Sequence, residues 1–125
     1  MRAVDTSVWI ELFDKSPLSR KLRTELPARH EIIVPTIVQL ELSKWLLREA
    51  SDKMADRAIT YTMKCFVVPL DTEIALRAAG LCRKHKLSTA DAVIYGSAQA
   101  HNADLLTCDA HFKGLPGVVY FAKFS

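Results

Sequence analysis

Residues Arg2 to Phe13 read RAVDTSVWIELF. Three strand-favouring residues, Arg2 to Val4, run into Asp5, Thr6 and Ser7, whose side-chain oxygens can accept from the free N–H groups at a helix start. Val8, Trp9, Leu12 and Phe13 then recur at the spacing of one helical face. A strand turning directly into a helix is half of a βαβ unit, and the alternation continues downstream. Strand-like runs at Glu31 to Val34, Phe66 to Val68, Asp104 to Leu106 and Val118 to Phe121 are separated by longer helical segments. This order predicts an α/β fold, with a mostly parallel central sheet of about five short strands flanked by helices.

The intervening helices are placed by their caps. Thr36 with Gln39 three residues later reads as a capping box that opens a helix over Ile37 to Glu49. Ser51 starts the next helix, through about Lys64, and Asp71 caps one that ends between Arg83 and Lys86. Ser88 and Asp91 form a second box at the head of a helix ending near Ala100, and Leu18 to Leu26 gives a further short helix. Gly114 and Gly117 mark a turn into the last strand.

The 17 Lys and Arg against 14 Asp and Glu give a net charge of +3, and half of the 125 residues are hydrophobic. That balance excludes a disordered chain, and four Gly with five Pro exclude a collagen-like or linker-rich one. No internal repeat or composition break divides residues 1–125, so one domain is expected. No apolar run reaches the roughly 18 residues needed to cross a bilayer, and Asp5 stands where a signal peptide would be apolar. A cytoplasmic protein without membrane contact is the expectation. Cys65, Cys82 and Cys108 are widely spaced and odd in number, which reads as buried thiols in a reducing compartment.

Four acids fall just after a strand or in the first two turns of the following helix: Asp5, Glu41, Asp91 and Asp109. In an open α/β sheet, ligands bind where the carboxyl ends of the strands and the helix starts converge, so the four can share a pocket. Each also has a purely local explanation. Asp5 can cap a helix, Asp91 can complete the box with Ser88, and Asp109 can make an Asx-turn with Ala110 and His111. Glu41 can pair with Lys44 or Arg48 on a solvated helix face.

Taken together, the D-T-S at Asp5 to Ser7, Glu41 on the third helix, T-A-D-A at Thr89 to Ala92, and L-L-T-C-D-A-H-F at Leu105 to Phe112 resemble the PIN-domain ribonucleases, most nearly the VapC-type toxins of toxin–antitoxin pairs. The resemblance covers essentially the whole chain. It implies a PIN-like three-layer sandwich and a Mg²⁺- or Mn²⁺-dependent endoribonuclease that hydrolyses phosphodiester bonds in tRNA or rRNA. It also implies a cognate VapB-like antitoxin and a homodimer. The family's metal-binding acids fall on Asp5, Glu41, Asp91 and Asp109, with Asp5 as the expected central ligand.

Hard divalent cations prefer oxygen donors, which is why such a site is built from carboxylates. Thr6, Ser7 and Thr107 are adjacent hydroxyls suited to fixing those carboxylates by hydrogen bonds. Arg83, Lys84 and Lys86 are candidates for gripping backbone phosphates, although cations at a helix C-terminus also complement its dipole. Lys44 and Arg48 read as a solvated face. Other chemistries lack their motifs: His30, His85, His101 and His111 show no zinc spacing, no phosphate-binding Gly loop occurs, and Cys108 near His111 reads as core packing. Two rival readings remain: a catalytically inactive PIN-like protein that binds RNA or a partner, and a phosphoacceptor receiver-like domain. The receiver reading would want an acidic pair after the first strand, where Thr6 follows Asp5.

Overall fold

A computed structural model describes residues 1–123. It holds five strands: β1 (Arg2–Val4), β2 (Ile32–Pro35), β3 (Phe66–Val68), β4 (Asp104–Thr107) and β5 (Val118–Tyr120). The helices are α1 (Thr6–Phe13), α2 (Ser19–Glu25), α3 (Thr36–Glu49), α4 (Asp52–Thr62), α5 (Thr72–His85) and α6 (Thr89–Ala100), with 3₁₀ turns at Arg29–Glu31 and Ala110–Phe112. The strands form one sheet in the order β3-β2-β1-β4-β5, with every pairing parallel. Receiver-type doubly wound sheets run 2-1-3-4-5, so the topology removes that rival.

Ala3 and Val4, Ile32 and Ile33, and Leu105 and Leu106 are each fully buried. Successive strand residues point to opposite faces, so burial of both members of each pair means that helices cover both faces of the sheet. Helix α6 lies against β1, β2 and β4 on one side and against α5 and α3 on others. All seven residues from Ala92 to Ala98 are consequently buried, which explains an apolar composition with no polar stripe. Helix α1 joins β4, α2 and α3, and α3 in turn rests on β2 and α4.

The register of β1 against β4 is pinned at its lower end. Arg2 faces Asp104 and donates a two-pronged pair of hydrogen bonds to it, Nε to Oδ1 and Nη2 to Oδ2, both 2.9 Å. Its third nitrogen reaches Glu25 at the end of α2. A planar fork of this kind fixes orientation as well as adding energy. With Arg2 opposite Asp104 and Val4 opposite Leu106, the next step upward brings Asp5 beside Thr107.

Most element starts agree with the sequence reading. Ser51, Asp71 and Ser88 each accept a hydrogen bond from the N–H three residues on, at Met54, Ile74 and Asp91. The Thr36–Gln39 box is a correction. Pro35 is already the cap, extended at φ −61° and ψ 142°, so Thr36 lies inside the helix. Gln39 instead donates to Thr62 Oγ1 at 3.1 Å and ties α3 to α4. The thiols are also corrected in part: Cys108 is buried, whereas Cys65 and Cys82 are only half-buried. No helix among the described residues is long and apolar enough to cross a membrane.

Candidate active site

The sheet order puts a switch point between β1 and β4, because the chain builds outward through β2 and β3 and then returns to start β4 on the other side of β1. Ligands of open parallel sheets bind beyond the carboxyl ends of the strands at such a point. Asp5 follows β1 directly, and Asp109 lies two residues past β4. Only three residues separate the end of α6 from β4, so α6 runs antiparallel to the strands and its start, with Asp91, returns to the same end. Glu41 arrives on the second turn of α3, which leaves β2 without a loop.

Asp5 is 3 % exposed, and its carboxylate is held by three donors. Oδ1 accepts from the Thr6 N–H at 2.9 Å, while Oδ2 accepts from Ser7 Oγ and Thr107 Oγ1, both at 2.7 Å. Those hydroxyls are themselves fixed: Ser7 Oγ accepts from the Cys108 N–H and Thr107 Oγ1 from the Asp109 N–H, both at 2.9 Å. Thr6 Oγ1 donates elsewhere, to Glu41 Oε1 at 2.7 Å. The three hydroxyls thus serve two of the acids and link the β1, β4 and α3 ends.

Asp91 and Asp109 approach each other across the start of α6. Together with His111 they offer one ligand atom each within 4.8 Å of one another. His111 Nδ1 lies 3.0 Å from Asp109 Oδ1 and 3.7 Å from Asp91 Oδ2. Asp5 and Glu41 stand outside that tight group. Burial raises the Asp5 carboxyl above its usual range against the opposing pull of Ser7 and Thr107, and the charges of Asp109 and Glu41 raise it further. Asp91 is pushed up to about 6, by burial first and then by the charges of Asp109 and Asp5.

Carboxylate oxygens with one imidazole nitrogen, converging in a partly desolvated pocket, are a donor set that fits a small hard divalent cation. The fit is electrostatic as well, because a cation offsets the burial and the mutual repulsion that together raise Asp5 and Asp91. Cys108 is not a rival nucleophile, since burial pushes its thiol up to about 11 and keeps it protonated. Arg83, Lys84 and Lys86 are exposed at the end of α5, where Lys86 takes the left-handed conformation (φ 55°) that terminates the helix. They precede the Ser88 cap of α6 but make no hydrogen bond to the acids among the described residues.

The sequence reading assigns no metal-binding role to His111. Its signal was present, two positions after Asp109 in a turn where Asp109 Oδ1 accepts the His111 N–H at 2.9 Å. A search for His pairs at zinc spacing passes over a single imidazole that works with acids.

Thr107→Val tests the hydroxyl bridge. It removes a donor to Asp5 and the acceptor of the Asp109 N–H while keeping the shape of a buried strand residue. The expected result is a 10- to 100-fold weaker divalent-ion affinity, as for other groups that orient ligands. Titration with Mn²⁺ followed by calorimetry measures it, and unchanged affinity would remove Thr107 from the site.

Among proteins of curated function, no sequence matches the chain. Solved structures do. A toxin–antitoxin complex from Klebsiella pneumoniae contains a chain 25 % identical, with 95 % of this chain and 96 % of that one covered and a TM-score of 0.82. The Mycobacterium tuberculosis toxin VapC20, described as cleaving the sarcin–ricin loop, is 18 % identical over 94 % and 97 % with a TM-score of 0.80. DNA-bound VapBC from Salmonella typhimurium is 20 % identical over 98 % of both chains with a TM-score of 0.72. The PIN domain family profile matches residues 2–118, which span all the acids of the site and nearly the whole sheet. With the β3-β2-β1-β4-β5 topology and the acids gathered at its switch point, this match means that the chain belongs to the PIN domain family.

Proposed function

We infer that the protein is a divalent-metal-dependent endoribonuclease acting on structured RNA, tRNA or rRNA, and the toxin of a toxin–antitoxin pair. The observation that carries the reading is the convergence of Asp91, Asp109 and His111 beside the buried Asp5, at the strand ends of a PIN fold. Asp5, Asp91 and Asp109 are assigned as ligands of Mg²⁺ or Mn²⁺, and Glu41 as a further ligand or the group that orients the attacking water. When bound, the ion supplies an acidified water and neutralises charge on the phosphate and leaving oxygen.

The chain's own residues do the rest. Ser7 and Thr107 keep Asp5 in one rotamer, Thr6 does the same for Glu41, and the Asp109–His111 contact places an imidazole at the exposed edge of the site. The free N–H groups at the starts of α1 and α6 add positive potential on the same side.

The toxin role is supported by the similarity to a chain of the Klebsiella complex. A VapB-like antitoxin is the proposed partner, its inhibition arising from a basic side chain that occupies the acidic pocket in place of metal. Homodimerisation is proposed through exposed apolar residues, Leu40 and Leu47 on α3 and Leu76 on α5. Incubating end-labelled tRNA and an rRNA fragment with the protein in Mn²⁺ and in EDTA tests the activity. Discrete internal cuts in Mn²⁺ and none in EDTA are expected, and identical patterns in both would refute metal dependence.

A further inference from the structure

Between α1 and α3, on the Glu41 side of the acidic cluster, lies a cleft of 230 Å³ lined by Thr6, Ile10, Glu41, Lys44, Trp45 and Arg48. From sequence, Lys44 and Arg48 read as a solvated face of α3. In the structure both are exposed and line the cleft together with Thr6 and Glu41, whose side chains are hydrogen-bonded to each other. We propose that this cleft seats one unpaired nucleotide of the RNA substrate, its base against Trp45 and its flanking phosphates on Lys44 and Arg48. The proposal rests on the ribonuclease reading of the acidic site.

A polyanion cannot settle on a group of carboxylates unless cations nearby hold its backbone. Lys44 and Arg48 stand one and two turns along α3 from Glu41, about 6 Å of axial rise apart, so they lead directly away from the acids. Among the described residues Arg48 is engaged only by Glu49, at 2.9 Å with both side chains at least half exposed. Such a pair is weak and readily exchanged for a phosphate. Trp45 is half-buried and packed against the core, which fixes it as a rigid wall. An anchored aromatic beside cations is the arrangement that binds single strands, because every base has a face to stack. The volume lies below the roughly 300 Å³ at which drug-sized pockets begin, which suits one ring system. A paired base cannot enter, so the nucleotide must come from a loop, bulge or end.

The test uses Asp5→Asn protein, which binds without cutting, and a fluorescently labelled single-stranded oligoribonucleotide followed by anisotropy across a salt series. Adding Trp45→Leu should weaken binding about tenfold with an unchanged salt slope, and Trp45→Phe should restore most of it. Adding Lys44→Ala with Arg48→Ala should lower the slope of log K against log salt by about 1.4, the value for two phosphates on a single strand. In the active protein the same changes should raise KM and leave kcat within about twofold. Melting curves separate a lost contact from a lost fold, and if Trp45→Leu unfolds, the exposed double variant and Trp45→Phe decide. If all variants bind like Asp5→Asn while the parent still cuts RNA, the cleft proposal fails alone. If the parent neither cuts nor binds RNA, the ribonuclease reading fails and the cleft with it. Tighter binding of poly-glutamate than of the oligonucleotide would assign the cleft to a protein partner and overturn the proposal.

Discussion

Asp5→Asn should lower the single-turnover rate of RNA cleavage by roughly 10²–10³ or more, the scale set by removing one preorganised electrostatic group from a catalytic site. The substitution keeps volume and shape, so its effect is one of charge and hydrogen-bond polarity. In the parent, Oδ2 accepts from both Ser7 and Thr107. An amide nitrogen at that position would present hydrogens to two hydroxyls that already accept from Cys108 and Asp109. Turning the amide over instead faces its nitrogen toward the Thr6 N–H, which needs an acceptor. Either way the central carboxylate loses charge and its fixed orientation. Stability should change little, because the lost hydrogen bonds are offset by removal of a buried charge among like charges. A melting temperature near the parent's, with cleavage lost, is the expected pair of results. Cleavage at the parent rate would exclude Asp5 from the reaction.

Three of the four local explanations for the acids describe a bond in the structure, whereas Glu41 accepts from Thr6 and forms no ion pair with Lys44 or Arg48 among the described residues. Asp5 caps α1, the Asp91 N–H is held by Ser88, and Asp109 caps the 3₁₀ turn at Ala110–Phe112. The overlap has a physical cause. Helix starts leave N–H groups free, which favours short acidic and hydroxyl side chains there, and a parallel sheet delivers those starts to one end. A residue can therefore be a cap and belong to an acidic pocket at once, and only topology separates a lone cap from a cluster.

Strand periodicity and caps made the elements legible. The order β3-β2-β1-β4-β5 was not, since it depends on which faces pack across the sheet. Thr36 misled because Pro35 completes the turn in one residue, so no side-chain cap is needed. Lys44 and Arg48 are exposed, as their helical spacing predicts, but the cleft they share with α1 is not legible because Thr6 and Ile10 lie some 35 positions away in the chain.

Melting curves should respond to metal and pH together. At pH 7.5, Mn²⁺ at ten times its dissociation constant should raise the melting temperature by about 4–7 °C over EDTA, because a ligand of the folded state alone adds roughly 1.4 kcal/mol. The pH dependence follows from Asp91, raised from 3.8 to about 6 in the folded protein. Between those values the folded state binds more protons than the unfolded one, so the stability linked to Asp91 is complete below pH 3.8 and lost as pH rises through about 6. Asp5 is raised too and acts in the same direction. In EDTA, Asp91→Asn should therefore melt progressively higher than the parent from pH 4 to 7, approaching a difference on the order of 2 kcal/mol. Contributions from groups common to both proteins cancel in that difference. Metal reverses the sign at neutral pH, where the ionised acids that repel one another become its ligands, and protons displace it by about pH 5. Parent and Asp91→Asn curves that stay parallel across the whole range, with and without Mn²⁺, would mean that the carboxylates neither repel one another nor share an ion.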